Sequence, residues 1–173
     1  MQQYDQKKTV KCRTQDNQLI AVPLNPLAQS NTLLEMFQNS QFDLDDPKIE
    51  ISLPGISSEI LLKIIEWCVA HDGLDELVVQ VNEENGERIW LEMTEEEKQF
   101  FQVDTNNLML LLNAANYLDI KSLYLYGCQA AAHIMKNNAV EQIRQRFNLP
   151  DDVTEEDKET IKKNNFWACL LDP

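Results

Sequence analysis

The residues of this chain that could carry out chemistry are few and scattered. Cys68 and His71 lie three positions apart, a spacing that two zinc ligands can have. No second cysteine or histidine pair follows at such a spacing, so the sequence offers at most half of a tetrahedral zinc site. The other histidine, His133, falls in an amphipathic helix pattern and is interpreted as a surface or capping residue. We therefore expect no metal site.

The sequence does not contain the set of residues that a catalytic nucleophile or an acid–base pair requires. A thiolate at Cys68 or Cys128 would need a neighbouring base, and both cysteines fit the apolar stripe of a helix. The four glycines are isolated from one another, so no phosphate-binding loop is indicated. Carboxylate runs such as Glu95–Glu97 are typical of a solvated face. We expect no catalytic residue and no cofactor.

The charge balance disfavours two classes of partner. The 173 residues contain 29 Asp+Glu against 15 Lys+Arg, a net charge of −14. Nucleic acid and anionic lipid surfaces would repel such a surface, although the acidity also fits a role in solubility alone. No apolar run is long enough to span a bilayer, and the N-terminus lacks the apolar stretch of a signal peptide. We expect neither nucleic acid nor a membrane as a partner.

The cysteines indicate the compartment. Cys12, Cys68, Cys128 and Cys169 lie far apart, and three of them fall within apolar runs. Such cysteines are typical of reduced, buried thiols rather than disulfides. We expect the protein in the cytoplasm and nucleus.

Two amphipathic helices joined by a tight corner, Asp104–Met135, are predicted to organise the chain. Apolar residues recur at helical spacing in both halves, as in Leu108, Leu111, Leu112 and Ala115. Asp119 lies between the halves and is predicted to be the N-cap of the second helix. Asn116 and Tyr117 are polar-capable side chains beside this apolar run, and a buried hairpin does not account for them.

The elements before this pair are mostly strands. The alternation in 9–14 and 19–22 around a polar turn predicts a β-hairpin, and Lys48–Leu53 predicts a third strand. Short helices are predicted after Ser30–Thr32 and after Ser57 or Ser58. Strands grouped early and helices late predict an α+β domain.

The acidic stretch 71–102 is the least regular part of the chain. Two β-like runs, 77–81 and 89–93, flank a turn at Asn85-Gly86. Two interpretations remain open, a hairpin and a mobile loop. Thr94 and Glu97 have the spacing of a capping box for a short helix that reaches Phe100-Phe101.

Two polar helices are predicted at the C-terminus. The first, AVEQIRQRF, is expected to use Asn138 as its cap with Glu141 three residues on, and Thr154 is expected to cap the second. The second helix has almost no apolar stripe, yet five apolar or aromatic residues follow it, namely Phe166, Trp167, Cys169, Leu170 and Leu171. They either fold back onto the core or form a patch that another chain covers.

Several of these stretches resemble one family. Ala114–Lys121 (AANYLDIK) is similar to the signature of the Skp adaptors, the small acidic proteins that link cullins to F-box proteins. Four further stretches are similar to the family: the first-helix entry QSNTL (29–33), the turn LPGI (53–56), the helix end IIEWC (64–68) and the run RFNL (146–149). The resemblance implies a BTB/POZ fold, with a three-stranded sheet plus helices, over residues 1–136. It also implies a two-helix extension over 137–173 that binds F-box proteins.

The resemblance also implies the interaction residues. Asn116 and Tyr117 would contact a cullin, and the extension would bind F-box proteins through Ile143, Phe147, Leu149 and Trp167. The protein would then be a non-catalytic adaptor in a ubiquitin ligase.

The chain departs from the family pattern in several places. Glu96-Glu97 replace a usual Trp-Asp pair, Tyr124 and Tyr126 replace smaller or aliphatic residues, and the tail after Trp167 is unusually apolar. Homodimerisation through the C-terminal helices is therefore a second expectation. The alternative function is a self-associating BTB-type scaffold that acts outside a ubiquitin ligase.

Overall fold

The computed structural model describes residues 8–39, 49–74, 77–86 and 88–166 of the 173-residue chain. The strands in these ranges are β1 Thr9–Thr14, β2 Leu19–Pro23 and β3 Glu50–Leu53. The first four helices are α1 Leu24–Leu27, α2 Asn31–Asn39, α3 Ser58–Ala70 and α4 Glu95–Phe100. The last four are α5 Thr105–Tyr117, α6 Lys121–Lys136, α7 Val140–Phe147 and α8 Glu155–Asn164.

The three strands form one mixed sheet in the order β2-β1-β3. β1 and β2 are antiparallel, whereas β1 and β3 are parallel. The chain passes from β1 to β3 through β2, α1 and α2. Because side chains alternate along a strand, Val10 and Cys12 of β1 point into the core. Ile51 and Leu53 of β3 point into it as well. The predicted α+β class and its three-stranded sheet are confirmed.

The helical pair α5–α6 supplies the largest helical part of the core, as the periodicity predicts. Leu108, Leu111 and Ala115 of α5 are at most 1% exposed. Helix α6 packs against α5. Gly127 of α6 lies at this contact, and a Cβ added there would be 2.6 Å from Leu112 Cδ2. The absence of a side chain at Gly127 therefore leaves room for the Leu112 side chain between the two helices.

We predict that Gly127→Ala lowers the free energy of unfolding by about 1–3 kcal/mol, because the new methyl group overpacks the contact with Leu112. Urea unfolding followed by circular dichroism measures the change. Gly55→Ala is the matched control, since a Cβ at Gly55 meets nothing within 4 Å. An unchanged midpoint for Gly127→Ala would show that Leu112 moves aside without cost.

Three of the predicted helix starts are confirmed. Ser57 Oγ accepts a hydrogen bond from the backbone N–H of Ile60, so Ser57 rather than its neighbour caps α3. Thr94 and Glu97 form the predicted capping box of α4. Thr154 Oγ1 accepts from the N–H of Asp157 at the start of α8, 3.2 Å away.

The predicted caps of α6 and α7 are wrong. Asp119 has a left-handed backbone with φ 49°, and the N-cap residue of α6 is Ile120, without a side-chain hydrogen bond. The corner between α5 and α6 needs a positive φ at Asp119, which moves its carboxylate away from the helix start. The N-cap residue of α7 is Ala139 rather than Asn138, and Gln142 Oε1 accepts its N–H at 3.0 Å.

The segment between α3 and α4 is only marginally a hairpin. A single antiparallel bridge joins Val81 to Arg88, and the N–H of Ile89 donates to the carbonyl of Gln80. Gly86, with φ 71°, lies at the turn between them, and its backbone accounts for a tight reversal at this point. In the described part of this segment the ladder does not extend into regular strands.

The chain separates into two compact units, Met1–Asn137 and Asn138–Pro173. All buried hydrophobic residues of the described chain lie in the first unit, between Val10 and Ala131. α7 and α8 form the second unit and contain no fully buried residue. The functional division of the sequence at residue 136 stays a prediction.

Candidate protein-interaction sites

The last turn of α5 presents two side chains to solvent. Asn116 and Tyr117 are both exposed, and 54% of Tyr117 is accessible. Their neighbours Ala115 and Leu118 are fully buried on the other side of the helix. A half-exposed tyrosine beside a rigid core is a geometry that suits recognition by another protein.

The corner that follows these two residues is held from the side by α2. Ser30 Oγ, which is buried, donates to the carbonyl of Leu118 at 2.5 Å and accepts the N–H of Leu33 at 3.2 Å. Thr32 Oγ1 donates to the carbonyl of Tyr117 at 3.0 Å. One side chain therefore caps α2 and fixes the corner at the same time.

Asn31 completes this support. Its Nδ2 donates to Asp119 Oδ2 at 2.9 Å, and its backbone N–H reaches the carbonyl of Asp119 at 3.4 Å. The Asp119 carboxylate is therefore used between helices rather than at the start of α6. We call Ser30, Asn31 and Thr32 the brace of the corner, because together they hold residues 117–119 in place.

Sequence reasoning treats the brace only as a helix cap. A signal was present, since Ser30, Asn31 and Thr32 are three consecutive residues of capping type and an N-terminus needs only one. The two surplus polar side chains had to find partners elsewhere. The sequence does not say that these partners lie more than eighty residues further along the chain.

The second unit presents a different surface. Ile143 and Phe147 lie one helical turn apart on α7 and are half-buried, and Leu149 is 54% exposed. Asn148 adopts the left-handed conformation with φ 51°, and the N–H of Leu149 donates to the carbonyl of Arg144 at 2.8 Å. This Schellman-type ending places Leu149 beyond the end of the helix.

An acidic residue in the linker joins α7 to α8. Asp151 accepts from Lys158 Nζ at 2.8 Å and pairs with Arg144 Nη2 at 3.1 Å. The hydrogen bond from Lys158 is the main cause that lowers the pKa of Asp151 below its usual value. The same contact raises the pKa of Lys158. The two helices are thus connected by exposed ion pairs, which stabilise only weakly in water.

Apolar side chains of the second unit remain exposed. Val140, Ile161 and Phe166 are 59%, 52% and 64% accessible. In the described residues of this unit, no apolar side chain is fully buried. Trp167 and the tail after it lie outside the described residues, so the predicted role of Trp167 is not tested.

The residues considered for catalysis and metal binding have other partners. Both ring nitrogens of His71 are engaged, with the carbonyl of Trp67 at 2.9 Å and Glu97 Oε1 at 3.0 Å. Burial raises the pKa of Cys12 and of Cys68 to about 12, which keeps both as unreactive thiols near neutral pH. Among the residues that the structure describes, no three acidic, cysteine or histidine side chains could hold a metal ion together.

Glu97 has a structural role at the start of α4. Partial burial raises the pKa of Glu97, but hydrogen bonds from His71 and Thr94 outweigh it and hold that pKa below its usual value. Glu97 therefore serves both as part of the capping box and as a link from α4 to α3.

No helix in the described ranges combines the length and apolar character needed to cross a bilayer.

The mixed three-stranded sheet with its surrounding helices is a BTB/POZ-like α+β fold. The family model described as "Skp1 family, tetramerisation domain" matches residues 8–73, and "Skp1 family, dimerisation domain" matches residues 121–168.

Similar proteins agree with these family models. Suppressor of kinetochore protein 1 of Schizosaccharomyces pombe is 36% identical over 135 residues, 77% of this chain and 83% of that protein. The E3 ubiquitin ligase complex SCF subunit sconC of Emericella nidulans is 32% identical over 94% of this chain and 97% of its own. A Skp1-related protein of Caenorhabditis elegans is 30% identical over 94% of this chain and 92% of its own. The chain belongs to the Skp1 family.

Proposed function

We propose that this protein is a non-catalytic adaptor that links a cullin scaffold to F-box substrate receptors in an SCF ubiquitin ligase. Family membership, with relatives named as SCF subunits, is the observation that carries the proposal. An adaptor needs two surfaces that bind independently, and the candidate residues lie in separate compact units. Its contribution to ubiquitin transfer is the distance and orientation that it sets between the two partners.

The cullin surface in this proposal contains Asn116 and Tyr117. Support comes from their exposure at the end of α5 and from the brace that holds the adjoining corner through Leu118 and Asp119. A side chain held on a rigid element loses little conformational entropy when a partner binds it.

The F-box surface in this proposal contains Ile143, Phe147, Leu149 and Trp167. Support comes from the exposed or half-buried apolar side chains of α7 and its C-terminal turn. Such side chains gain by burial against a partner, at roughly 25 cal/mol for each Å² of apolar surface removed from water.

Two single substitutions test the two surfaces against each other. We predict that Tyr117→Lys weakens cullin binding at least about tenfold and leaves F-box binding unchanged, because a central aromatic contact is replaced by a charge. Leu149→Asp is expected to do the reverse. Surface plasmon resonance with purified cullin and a purified F-box protein measures both affinities for each variant.

Circular dichroism of both variants controls for folding. Tyr117 and Leu149 are each 54% exposed, so neither substitution should alter the core. If Tyr117→Lys reduces both affinities and the helical signal together, these residues are only structural. If each variant retains both affinities, the assignment of surfaces is wrong.

Self-association is a second candidate function, as in the BTB-type scaffold considered above. The two matching family models are described as a dimerisation domain and a tetramerisation domain. In the second unit, the apolar side chains of Val140 and Phe166 are exposed. Sedimentation equilibrium of the full chain distinguishes the two, since a scaffold would be a dimer or tetramer without cullin or an F-box protein.

We also propose that the protein resides in the cytoplasm and nucleus. The free thiols of Cys12, Cys68 and Cys128 support a reducing compartment. Imaging of a fluorescently tagged chain in living cells tests this location.

A further inference from the structure

A long groove in the first unit is not used by either proposed surface. It runs between the last two turns of α6 and the segment that precedes α4, and its volume is about 1010 Å³. Its lining is mainly apolar, with Trp90, Met93, Phe101, Ile134 and Met135 as the largest side chains. We call it the Trp90 groove.

One wall of the Trp90 groove is fixed by a buried polar clamp. Gln129, which is 6% exposed, accepts the N–H of Leu91 at 2.8 Å and donates to the carbonyl of Leu91 at 2.7 Å. Both hydrogen bonds of one amide thus hold one residue of an otherwise irregular segment against α6. The neighbouring Trp90 is positioned by this clamp, with its ring centroid 5.6 Å from that of His133.

Trp90 is nevertheless left 59% exposed. Met135, on the opposite wall, is 49% exposed. A tryptophan that is held in place but not covered is the side chain most often found at the energetic centre of protein interfaces. Its position is pre-organised, so a partner that covers it does not bear the cost of ordering the wall.

The charge of the Trp90 groove is opposite to that of the whole chain. Within the described residues its lining contains Lys98, Lys136 and His133 but no Asp or Glu, in a protein whose net charge is −14. Lys98 Nζ forms a salt bridge with Glu95 Oε1 at 2.6 Å, whereas Lys136 lies in the last turn of α6. At physiological salt the repulsion from carboxylates more than about 8 Å away is largely screened.

The length of the Trp90 groove sets the size of its occupant. Ala130 to Lys136 line one wall and span roughly 10 Å of helix axis. This is enough for about two turns of a docked helix or a few extended residues. The mainly apolar lining calls for apolar side chains, and the two lysines in it call for carboxylates.

We propose that the Trp90 groove binds a short segment of another protein in which apolar side chains are flanked by Asp or Glu. The apolar side chains lie against Trp90 and Met135, and the carboxylates pair with Lys136 and Lys98. This is a third interaction surface, separate from Asn116–Tyr117 and from the second unit. A second copy of this chain is the alternative occupant, and sedimentation distinguishes it below.

The test uses the full chain and two synthetic peptides with the same central leucines and phenylalanine. One is flanked by glutamates and the other by lysines, and fluorescence anisotropy measures both affinities. We expect the glutamate-flanked peptide to bind more tightly, and Trp90→Ala to weaken it at least about tenfold. Lys136→Glu is expected to weaken it about fivefold, since an exposed ion pair becomes a repulsion.

Matched controls separate this effect from general changes. Val78→Ala shortens an apolar side chain outside the groove that is even more exposed than Trp90. Lys162→Glu makes the same charge change as Lys136→Glu, but in the second unit. Both should leave the peptide affinity unchanged. Trp90→Phe, which keeps an aromatic wall, should retain most of it.

Further outcomes would overturn the proposal. Equal affinity for both peptides, or an unchanged affinity of Trp90→Ala, would rule out the stated chemistry. If the unaltered chain self-associates in sedimentation and Trp90→Ala does not, the groove binds a second copy of this chain instead. Cullin and F-box binding of Trp90→Ala should equal those of the unaltered chain, so a loss of either would assign the groove to the adaptor surfaces instead.

Discussion

Truncation after Lys136 is expected to leave a folded domain that binds a cullin with unchanged affinity and has no detectable affinity for F-box proteins. All four residues assigned to F-box binding lie beyond this point. The core that remains is complete, since the buried hydrophobic residues of the described chain end at Ala131. The α7–α8 unit contributes exposed ion pairs and no buried apolar side chain among its described residues. Its removal should therefore cost the first unit little stability.

Three measurements decide this prediction. Urea unfolding compares the stability of the two chains, and surface plasmon resonance gives the cullin and F-box affinities. Tyr117→Lys in the full chain is the reciprocal control, because it should lose cullin and keep F-box binding. The prediction fails if the truncated chain unfolds. It also fails if hydrogen exchange protects α8 as strongly as α5 in the free monomer, since α8 would then belong to the core.

The elements with strong periodicity could be predicted from the sequence. α5 and α6 carry apolar residues at helical spacing over several turns, and β1 and β3 alternate in a way that only a half-buried strand accommodates. Local patterns of this kind reflect burial, which is also what stabilises the elements. Helix α1, Leu24–Leu27, was missed because four residues, one of them proline, are too short to show a period.

The two errors lie at helix starts where more than one residue could supply the cap. Asp119 has the type and position of an N-cap, yet its carboxylate binds Asn31. At α7 the N-cap residue is Ala139, and Gln142, three residues on, accepts its N–H. Capping preferences are local, whereas the choice between a local and a long-range partner depends on backbone angles that only the complete fold fixes.

The candidate sites could be predicted in part. Asn116 and Tyr117 were chosen because polar-capable side chains lie beside an apolar run and because AANYLDIK resembles the Skp signature. The structure places both at the surface, and their role in binding stays a prediction. The brace and the Trp90 groove could not be found in this way. Both depend on contacts between segments far apart in sequence, such as Gln129 with Leu91, and no spacing within one segment encodes them.

Trp67→Ala is expected to reduce the free energy of unfolding by about 3–5 kcal/mol, the range for loss of a buried aromatic side chain. Trp67 is 1% exposed and stacks on His71 at a centroid distance of 3.9 Å. Its ring also contacts three further aromatic rings at 5.2–5.4 Å, those of Phe100, Phe101 and Tyr126. Because these rings belong to α3, α4, α6 and the residue after α4, one side chain joins elements that are distant in sequence. Such a loss is a large fraction of the total stability of about 5–15 kcal/mol that is typical of a domain.

Urea unfolding followed by circular dichroism tests this expectation, and two further variants divide the effect. Trp67→Phe keeps an aromatic ring but removes the hydrogen bond from Trp67 Nε1 to Ser122 Oγ, which is 3.0 Å long. Ser122→Ala removes the same hydrogen bond and leaves the buried indole N–H without its partner, so its cost should be about 1–3 kcal/mol. Trp90→Ala is the control for loss of an exposed tryptophan and should change stability little. A loss below about 1 kcal/mol for Trp67→Ala would mean that the surrounding rings close the cavity, and the aromatic cluster would then not be what joins α3 to α4 and α6.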